Sequence, residues 1–253
     1  MLAIFYTTLL YFRRKYMLWA LVAIVLVTML FALVMGSLAL TETNKVVIDF
    51  FLMMVETVAL FFVLFFGSHV LADERQQKTM YLLLSKKYDT AYILLGKFMA
   101  YFVLVVVIYL SFLWWFLLMW VDVTVSVLLV ALLASCIKVL IVLSMTLFFV
   151  TFMSPYIIIV VMLALYFLSH ATQFLYWYSL EVDMNAFMQS ITTFVFYIFP
   201  PFDSLSLKEY VFFWKFPLTT AEIVSIFGMS WVYICVFLFF WCAILHRQRI
   251  KKI

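Results

Sequence analysis

The feature that most constrains this chain is a series of apolar blocks, each about twenty residues or longer and almost free of charged side chains. An α-helix of that length, rising about 1.5 Å per residue, crosses the roughly 30 Å hydrocarbon core of a bilayer. A membrane-spanning β-strand would alternate apolar and polar residues, and blocks such as 21–35 and 102–118 do not alternate. The sequence therefore predicts an all-α integral membrane protein.

Six such blocks predict six transmembrane helices. The predicted spans are 16–40, 47–71, 90–121, 125–153, 156–176 and 221–245. Helix-capping residues stand at three of the starts, namely Asp89, the pair Ser154-Pro155, and Thr219 with Glu222. Because 70% of the 253 residues are hydrophobic and only 11% are charged, we expect one membrane domain, 1–253, and no soluble domain.

The first fifteen residues predict an amphipathic elbow helix that lies along the membrane surface. Polar residues occur at helical spacing beside apolar ones: Thr7, Thr8, Tyr11, Arg14 and Lys15 beside Leu2, Phe5, Leu9 and Phe12. A signal peptide is the alternative, but its positive charges would precede the apolar stretch, and no small-residue cleavage pattern follows Leu40.

Lysine and arginine residues indicate the orientation. They cluster before the first span, around the loop between the second and third spans, and at the C-terminus: Arg13, Arg14, Lys15, Arg75, Lys78, Lys86, Lys87, Lys97, Arg247, Arg249, Lys251 and Lys252. With six spans all of them fall on one side, opposite Lys45, Lys208 and Lys215. Since positive loops stay cytoplasmic, both termini are predicted to be cytoplasmic in the cell membrane.

One apolar stretch, 186–199, is too short to cross a bilayer before Pro200-Pro201 interrupts it. Counting it as a span would place the basic C-terminal tail outside the cell. We therefore expect 177–220 to form short re-entrant or interfacial helices on the extracytoplasmic side, packed on the spans.

The chain contains no motif for nucleotide binding. Only four glycines occur, and the nearest approach to a phosphate-binding loop, Gly96-Lys97, is followed by Phe98 instead of serine or threonine. The net charge of +4 is too small to indicate a nucleic-acid partner.

Histidine and cysteine patterns give no metal site either. His69, His170 and His246 lie far apart in the sequence without ligands at metal-binding spacing, so we expect no metal and no catalytic centre. His170 is expected to form an interfacial hydrogen bond. The cysteines, Cys136, Cys235 and Cys242, fall inside apolar blocks and are expected to be small buried hydrophobic residues.

The densest polar run, ADERQQKTMYLLLSKKYD at 72–89, predicts a short cytoplasmic helix across the ends of two spans. Met80, Leu83 and Leu84 would form its apolar face. A solvated loop that satisfies only the charge rule for membrane orientation is the alternative.

This run resembles the coupling helix of the type-2 ABC transporter permease family, which docks on a separate ATPase subunit. The residues that carry the resemblance, in order, are Glu74, Thr79, Leu82-Leu83-Leu84 and Gly96-Lys97. The sequence departs from the pattern at Lys78, where glycine is common, at Lys87, where proline is usual, and in lacking an arginine before the third span. The elbow helix, the six spans, the Ser-Pro break and the short external helices extend the resemblance over the whole chain.

The resemblance implies a permease subunit of an ATP-driven exporter, similar to the permease of copper-site maturation systems. Such a subunit is no enzyme: the partner ATPase binds ATP and Mg²⁺, and two permease copies form a homodimer that binds two ATPase subunits. The implied docking residues are Glu74, Arg75, Lys78, Thr79, Leu82, Leu83 and Leu84. The alternative function is a mechanotransmitting or scaffold subunit that relays ATPase motion to an extracytoplasmic partner without translocating a substrate.

Two ionisable residues fall inside predicted spans, Glu56 in the second and Lys138 near the centre of the fourth. A charge at mid-bilayer costs about 2.5–3.5 kcal/mol on insertion scales unless it faces protein or water. We therefore predict that these two side chains pair across helices or face one polar cavity. The alternative is that Lys138 snorkels and Glu56 is protonated against a hydroxyl such as that of Thr57.

Overall fold

The computed structural model describes residues 2–14, 17–38, 43–76, 90–118, 125–181, 186–200, 202–206 and 220–250. Within these ranges the chain is helical apart from short turns, and no β-strand occurs in them. The described helices are α1 (Leu2–Arg14), α2 (Met17–Leu38), α3 (Thr43–Gln76), α4 (Thr90–Leu118), α5 (Val125–Phe149), α6 (Pro155–Glu181), α7 (Ala186–Ile198) and α8 (Thr220–Ile250).

Five of the described helices, α3, α4, α5, α6 and α8, are long and apolar enough to cross a bilayer. Their candidate spans are Val47–Glu74, Ala91–Trp114, Leu128–Phe149, Pro155–Tyr176 and Ile223–Arg247. The prediction of an all-α, multi-pass membrane protein is confirmed at this level. The first predicted span corresponds to α2, a helix of 22 residues, and its crossing of the membrane stays a prediction.

The ends of the helices differ from the predicted spans. Helix α3 runs unbroken from Thr43 to Gln76, so residues 72–76 of the predicted cytoplasmic loop continue the helix. Helix α5 ends at Phe149, and a short turn leads to Pro155, the first residue of α6. Proline suits this position because its missing N–H would have had no partner there. The predicted capping residues Asp89 and Thr219 lie outside the described residues.

Helix α5 is the centre of the bundle. It packs against α3, α4, α6 and α8, and every residue of 139–147 is buried. The two hydroxyl residues in that run donate within their own helix, Ser144 to the Ile141 carbonyl and Thr146 to the Val142 carbonyl. The central helix therefore buries polar side chains without leaving their hydroxyls unpaired.

Helix α8 lies at the periphery, with large apolar side chains such as Trp231, Val232 and Phe239 exposed. In a bilayer such a surface faces lipid or another protein. Cys235 is exposed on this helix, so the prediction that it is buried is wrong, because its position in α8 points away from the bundle. Cys136 and Cys242 are partly buried, and all three are free thiols.

Helix α1 packs on α4 and α2. Phe12 is fully buried, and its ring contacts those of Phe62 and Tyr101. Thr8, which the sequence placed on the polar stripe, is buried as well. Its hydroxyl donates to the Ile4 carbonyl at 2.8 Å, which satisfies the polar group within the helix and permits burial.

Helix α7 and the turn after it run antiparallel to α6. Phe196 stacks on Tyr176 with ring centroids 4.3 Å apart, while Phe202, further along the chain, contacts Tyr166, ten residues earlier in α6. Ten helical residues correspond to about 15 Å, so residues 202–206 reach back toward the middle of the bundle. Tyr233 of α8 donates its hydroxyl to the carbonyls at the end of α7. The re-entrant or interfacial position of this segment in a bilayer stays a prediction.

Candidate functional site

The buried centre of the bundle contains an ion pair between α3 and α5. The Lys138 Nζ lies 2.7 Å from the Glu56 Oε1, and these side chains are only 1% and 5% exposed. Each residue stands about 20 Å from the first residue of its helix, and their contact places the two at the same level of the bundle. The structure thus brings together the two ionisable residues that the sequence singled out.

Three further residues contact this pair. The Tyr166 hydroxyl of α6 donates to the Glu56 Oε1 at 2.7 Å, and the Lys138 Nζ donates to the Ser206 Oγ at 3.0 Å. The ammonium also lies over the rings of Tyr166 and Phe202, 5.0 and 5.9 Å from their centroids. A buried ion pair is tolerable only when such hydrogen bonds and ring contacts offset the loss of water.

The turn after α7, residues 199–200 and 202–206, covers the pair. Phe202 and Leu205 are buried, and the Ser169 hydroxyl donates to the Pro200 carbonyl. Within the turn, the amide of Ser206 donates to the Asp203 carbonyl at 2.8 Å. These contacts hold the Ser206 hydroxyl over the Lys138 ammonium.

Asp203 in the same turn binds His170 of α6, with 3.2 Å between the Asp203 Oδ1 and the His170 Nδ1. The hydrogen bond from His170 lowers the pKa of the Asp203 carboxyl, partial burial opposes that shift, and the charges of His170 and Lys138 lower it further. His170 therefore makes a hydrogen bond, as its position in the sequence indicated, and it links the turn to α6.

A cleft opens beside the ion pair between α3 and α6, with Val142 of α5 at its base. It has a volume of about 340 Å³. Its lining residues are Met53, Glu56, Thr57, Leu60, Phe61, Leu64, Val142, Met162, Leu163, Tyr166 and Phe167. On the other side of Phe61, a larger groove of about 740 Å³ runs between α2 and α3.

The C-terminal end of α3, just before residues 77–89, is linked by side-chain contacts to two other helices. The Glu74 carboxylate forms an ion pair with the buried Lys97 of α4, and the Tyr11 hydroxyl of α1 donates to the Asp73 Oδ2 at 3.1 Å. Three helices thus meet where the predicted coupling segment begins.

The predicted docking residues are only partly within the described chain. Glu74 lies in α3, and Arg75 follows it in the same helix, with its side chain outside the description. The others, Lys78, Thr79, Leu82, Leu83 and Leu84, lie outside the described residues. Contact of this set with an ATPase stays a prediction.

Sequence reasoning missed Tyr166, Phe202, Asp203 and Ser206. The aromatic residues are indistinguishable by pattern from those that face lipid. Asp203 and Ser206 follow the Pro200-Pro201 interruption directly, and polar residues after a helix break in an apolar segment were a usable signal. Among the described residues, no group of three or more His, Cys, Asp or Glu side chains converges as a metal site would require.

No protein-family model matches the chain, and no curated protein matches its sequence.

Proposed function

We propose that this chain is the membrane-spanning permease subunit of an ATP-driven exporter whose ATPase is a separate polypeptide. It would act as one of two permease copies, with ATP and Mg²⁺ bound by the ATPase partners. The observation that carries the proposal is the attachment of the Glu74 end of α3 to α4 and α1. A force applied to the adjoining segment 77–89 would reach three helices at once.

The order of the helices also supports this proposal. An amphipathic helix comes first, a proline break separates α5 from α6, and the short α7 precedes the last long helix. The resemblance to type-2 ABC permeases implies the same order. In this arrangement the Glu74 carboxylate, ion-paired to Lys97, would position the docking segment, while Leu83 would contact the ATPase.

A pull-down from native membranes tests the proposal. The tagged chain is solubilised in detergent, and the proteins that purify with it are identified and assayed for ATP hydrolysis. We expect a soluble ATPase that is lost in the combined Glu74→Gln and Leu83→Ala variant. Asp49→Asn, an exposed acidic residue nearer the other end of α3, is the matched control and should retain the ATPase.

The outcome of that pull-down is decisive in either direction. Recovery of an ATPase that depends on Glu74 and Leu83 supports a coupling role for 72–89. Recovery of no ATPase from the wild-type chain, with the chain itself intact, contradicts the permease proposal.

A mechanotransmitting subunit is the second candidate, and the outer surface of α7 favours it. Phe187, Met188, Ile191 and Phe194 are all exposed there, next to the turn that covers the ion pair. A photo-crosslinker placed at Phe194 would capture an extracytoplasmic partner if this surface relays motion. Substrate transport by the purified permease and ATPase alone would instead favour export.

A further inference from the structure

The cleft between α3 and α6 opens sideways, toward the region that lipid would occupy. Its rim residues Met53, Phe61 and Phe167 are 52%, 50% and 68% exposed. Its walls are almost wholly apolar, and its volume of about 340 Å³ falls in the range of roughly 300–1,000 Å³ typical of small-molecule sites. A ligand could therefore reach the cleft from within the bilayer.

The polar atoms that line the cleft are hydrogen-bond acceptors toward a ligand. The Thr57 hydroxyl donates its hydrogen bond to the Met53 carbonyl at 2.7 Å, and the Tyr166 hydroxyl donates its own to the Glu56 Oε1 at 2.7 Å. The carboxylate of Glu56 has no proton to give when ionised. The two hydroxyl oxygens keep acceptor capacity, so a complementary ligand carries a donor.

The charges beside the cleft favour a ligand whose hydrogen-bond donor is uncharged. The Glu56 carboxylate is already paired with the Lys138 ammonium at 2.7 Å. Because the pair carries no net charge, a cationic or anionic ligand would lose its hydration in this apolar cleft without gaining a net opposite charge.

We propose that this cleft binds an uncharged amphiphile from the bilayer, namely an apolar chain with a hydroxyl group that donates to Tyr166 or Thr57. The tail lies among Leu60, Leu64 and Met162. The hydroxyl gains a hydrogen bond that it would lack in hydrocarbon. This inference names a substrate class for the proposed exporter and rests on that function, although binding itself requires no ATPase.

Photolabelling of the purified chain tests the site. The chain is reconstituted in phosphatidylcholine nanodiscs and irradiated with a long-chain alcohol that carries a diazirine in its tail, and the labelled residues are mapped by mass spectrometry. We expect labelling of the α3 and α6 residues that line the cleft. Unlabelled hexadecanol should compete about 5-fold better than hexadecane, the advantage expected of one hydrogen bond worth about 1 kcal/mol.

A pair of variants separates specific binding from general contact with lipid. Leu163→Trp fills the cleft and should reduce labelling about 10-fold, whereas Leu168→Trp, on the exposed side of the same helix, should not. Tyr166→Phe, together with Thr57→Val, removes the two hydroxyl acceptors. If Leu163→Trp fails to fold, the double variant Tyr166→Phe with Thr57→Val still tests the site. In it, hexadecanol should compete for labelling no better than hexadecane.

Three results would overturn the proposal: equal competition by hexadecane and hexadecanol in the wild-type chain, stronger competition by hexadecyltrimethylammonium, or equal labelling of the exposed face of α8. The outcome is distinct from that of the exporter test. Specific labelling with no ATPase recovered supports the site and contradicts the exporter. Recovery of an ATPase without specific labelling supports the exporter and contradicts the site.

Discussion

At the scale of single residues, the Glu56–Lys138 pair places two opposite charges inside the bundle. Two charges are removed from water, and hydrogen bonds from Tyr166 and to Ser206 offset part of that cost. Removing one charge leaves the other buried without compensation. Removing both leaves a polar but uncharged site.

Lys138→Met is therefore expected to destabilise the protein by about 3–5 kcal/mol, the usual cost of breaking a buried ion pair. The double variant Lys138→Met with Glu56→Gln should be more stable than Lys138→Met alone. Unfolding titrations in detergent micelles measure both. Asp49→Asn, with its exposed side chain, should change the free energy of unfolding by less than about 0.5 kcal/mol. Glu56→Gln alone completes the cycle, and a loss in the double variant equal to the sum of the losses in the two single variants would contradict the pairing.

At the scale of elements, the turn after α7, residues 199–200 and 202–206, links this short helix to the buried pair. Phe202 is 1% exposed and contacts both the Tyr166 ring and the Lys138 ammonium. The turn is thus packed into the bundle, whereas the outer face of α7 is exposed. Substitutions in the turn and on the outer face of α7 can therefore show which of the two contributes more to the stability of the protein.

Phe202→Ala should destabilise the protein by about 3–5 kcal/mol, since it leaves a cavity above the ion pair. Phe194→Ala removes an equal volume from the exposed face of α7, and its effect should be several-fold smaller. Thermal unfolding followed by tryptophan fluorescence compares the two. Equal losses would mean that the turn contributes no more to stability than the outer face of α7.

At the scale of the whole molecule, the number of spans decides the relative position of the termini. The five described spans alone are an odd number. If α2 also crosses the membrane, the number is even and both termini lie on one side. The distribution of lysine and arginine predicts that this side is the cytoplasm.

Reporter fusions measure this directly. A fluorescent protein that folds only in the cytoplasm should be active at either terminus. Alkaline phosphatase, active only outside, should report when fused after Thr41, between α2 and α3. Termini found on opposite sides would contradict the six-span prediction.

The sequence by itself determined that the chain forms several α-helices long and apolar enough to cross a membrane. The reason is local: an apolar segment in hydrocarbon must satisfy its own backbone hydrogen bonds, and an α-helix of sufficient length does so within the segment. The same reasoning located Glu56 and Lys138 as costly charges. It could not establish that they touch, because contact depends on where each helix begins and how it is rotated.

Only the tertiary structure decided what surrounds those charges. The Ser206 hydroxyl reaches Lys138 across 68 positions of sequence, and Tyr166 reaches Glu56 across 110. Helix α3 begins at Thr43, four residues before its apolar block, so Glu56 stands about 6 Å further from the start of its helix than the apolar block indicates. Such contacts arise from packing between distant segments, and no pattern within one segment encodes them.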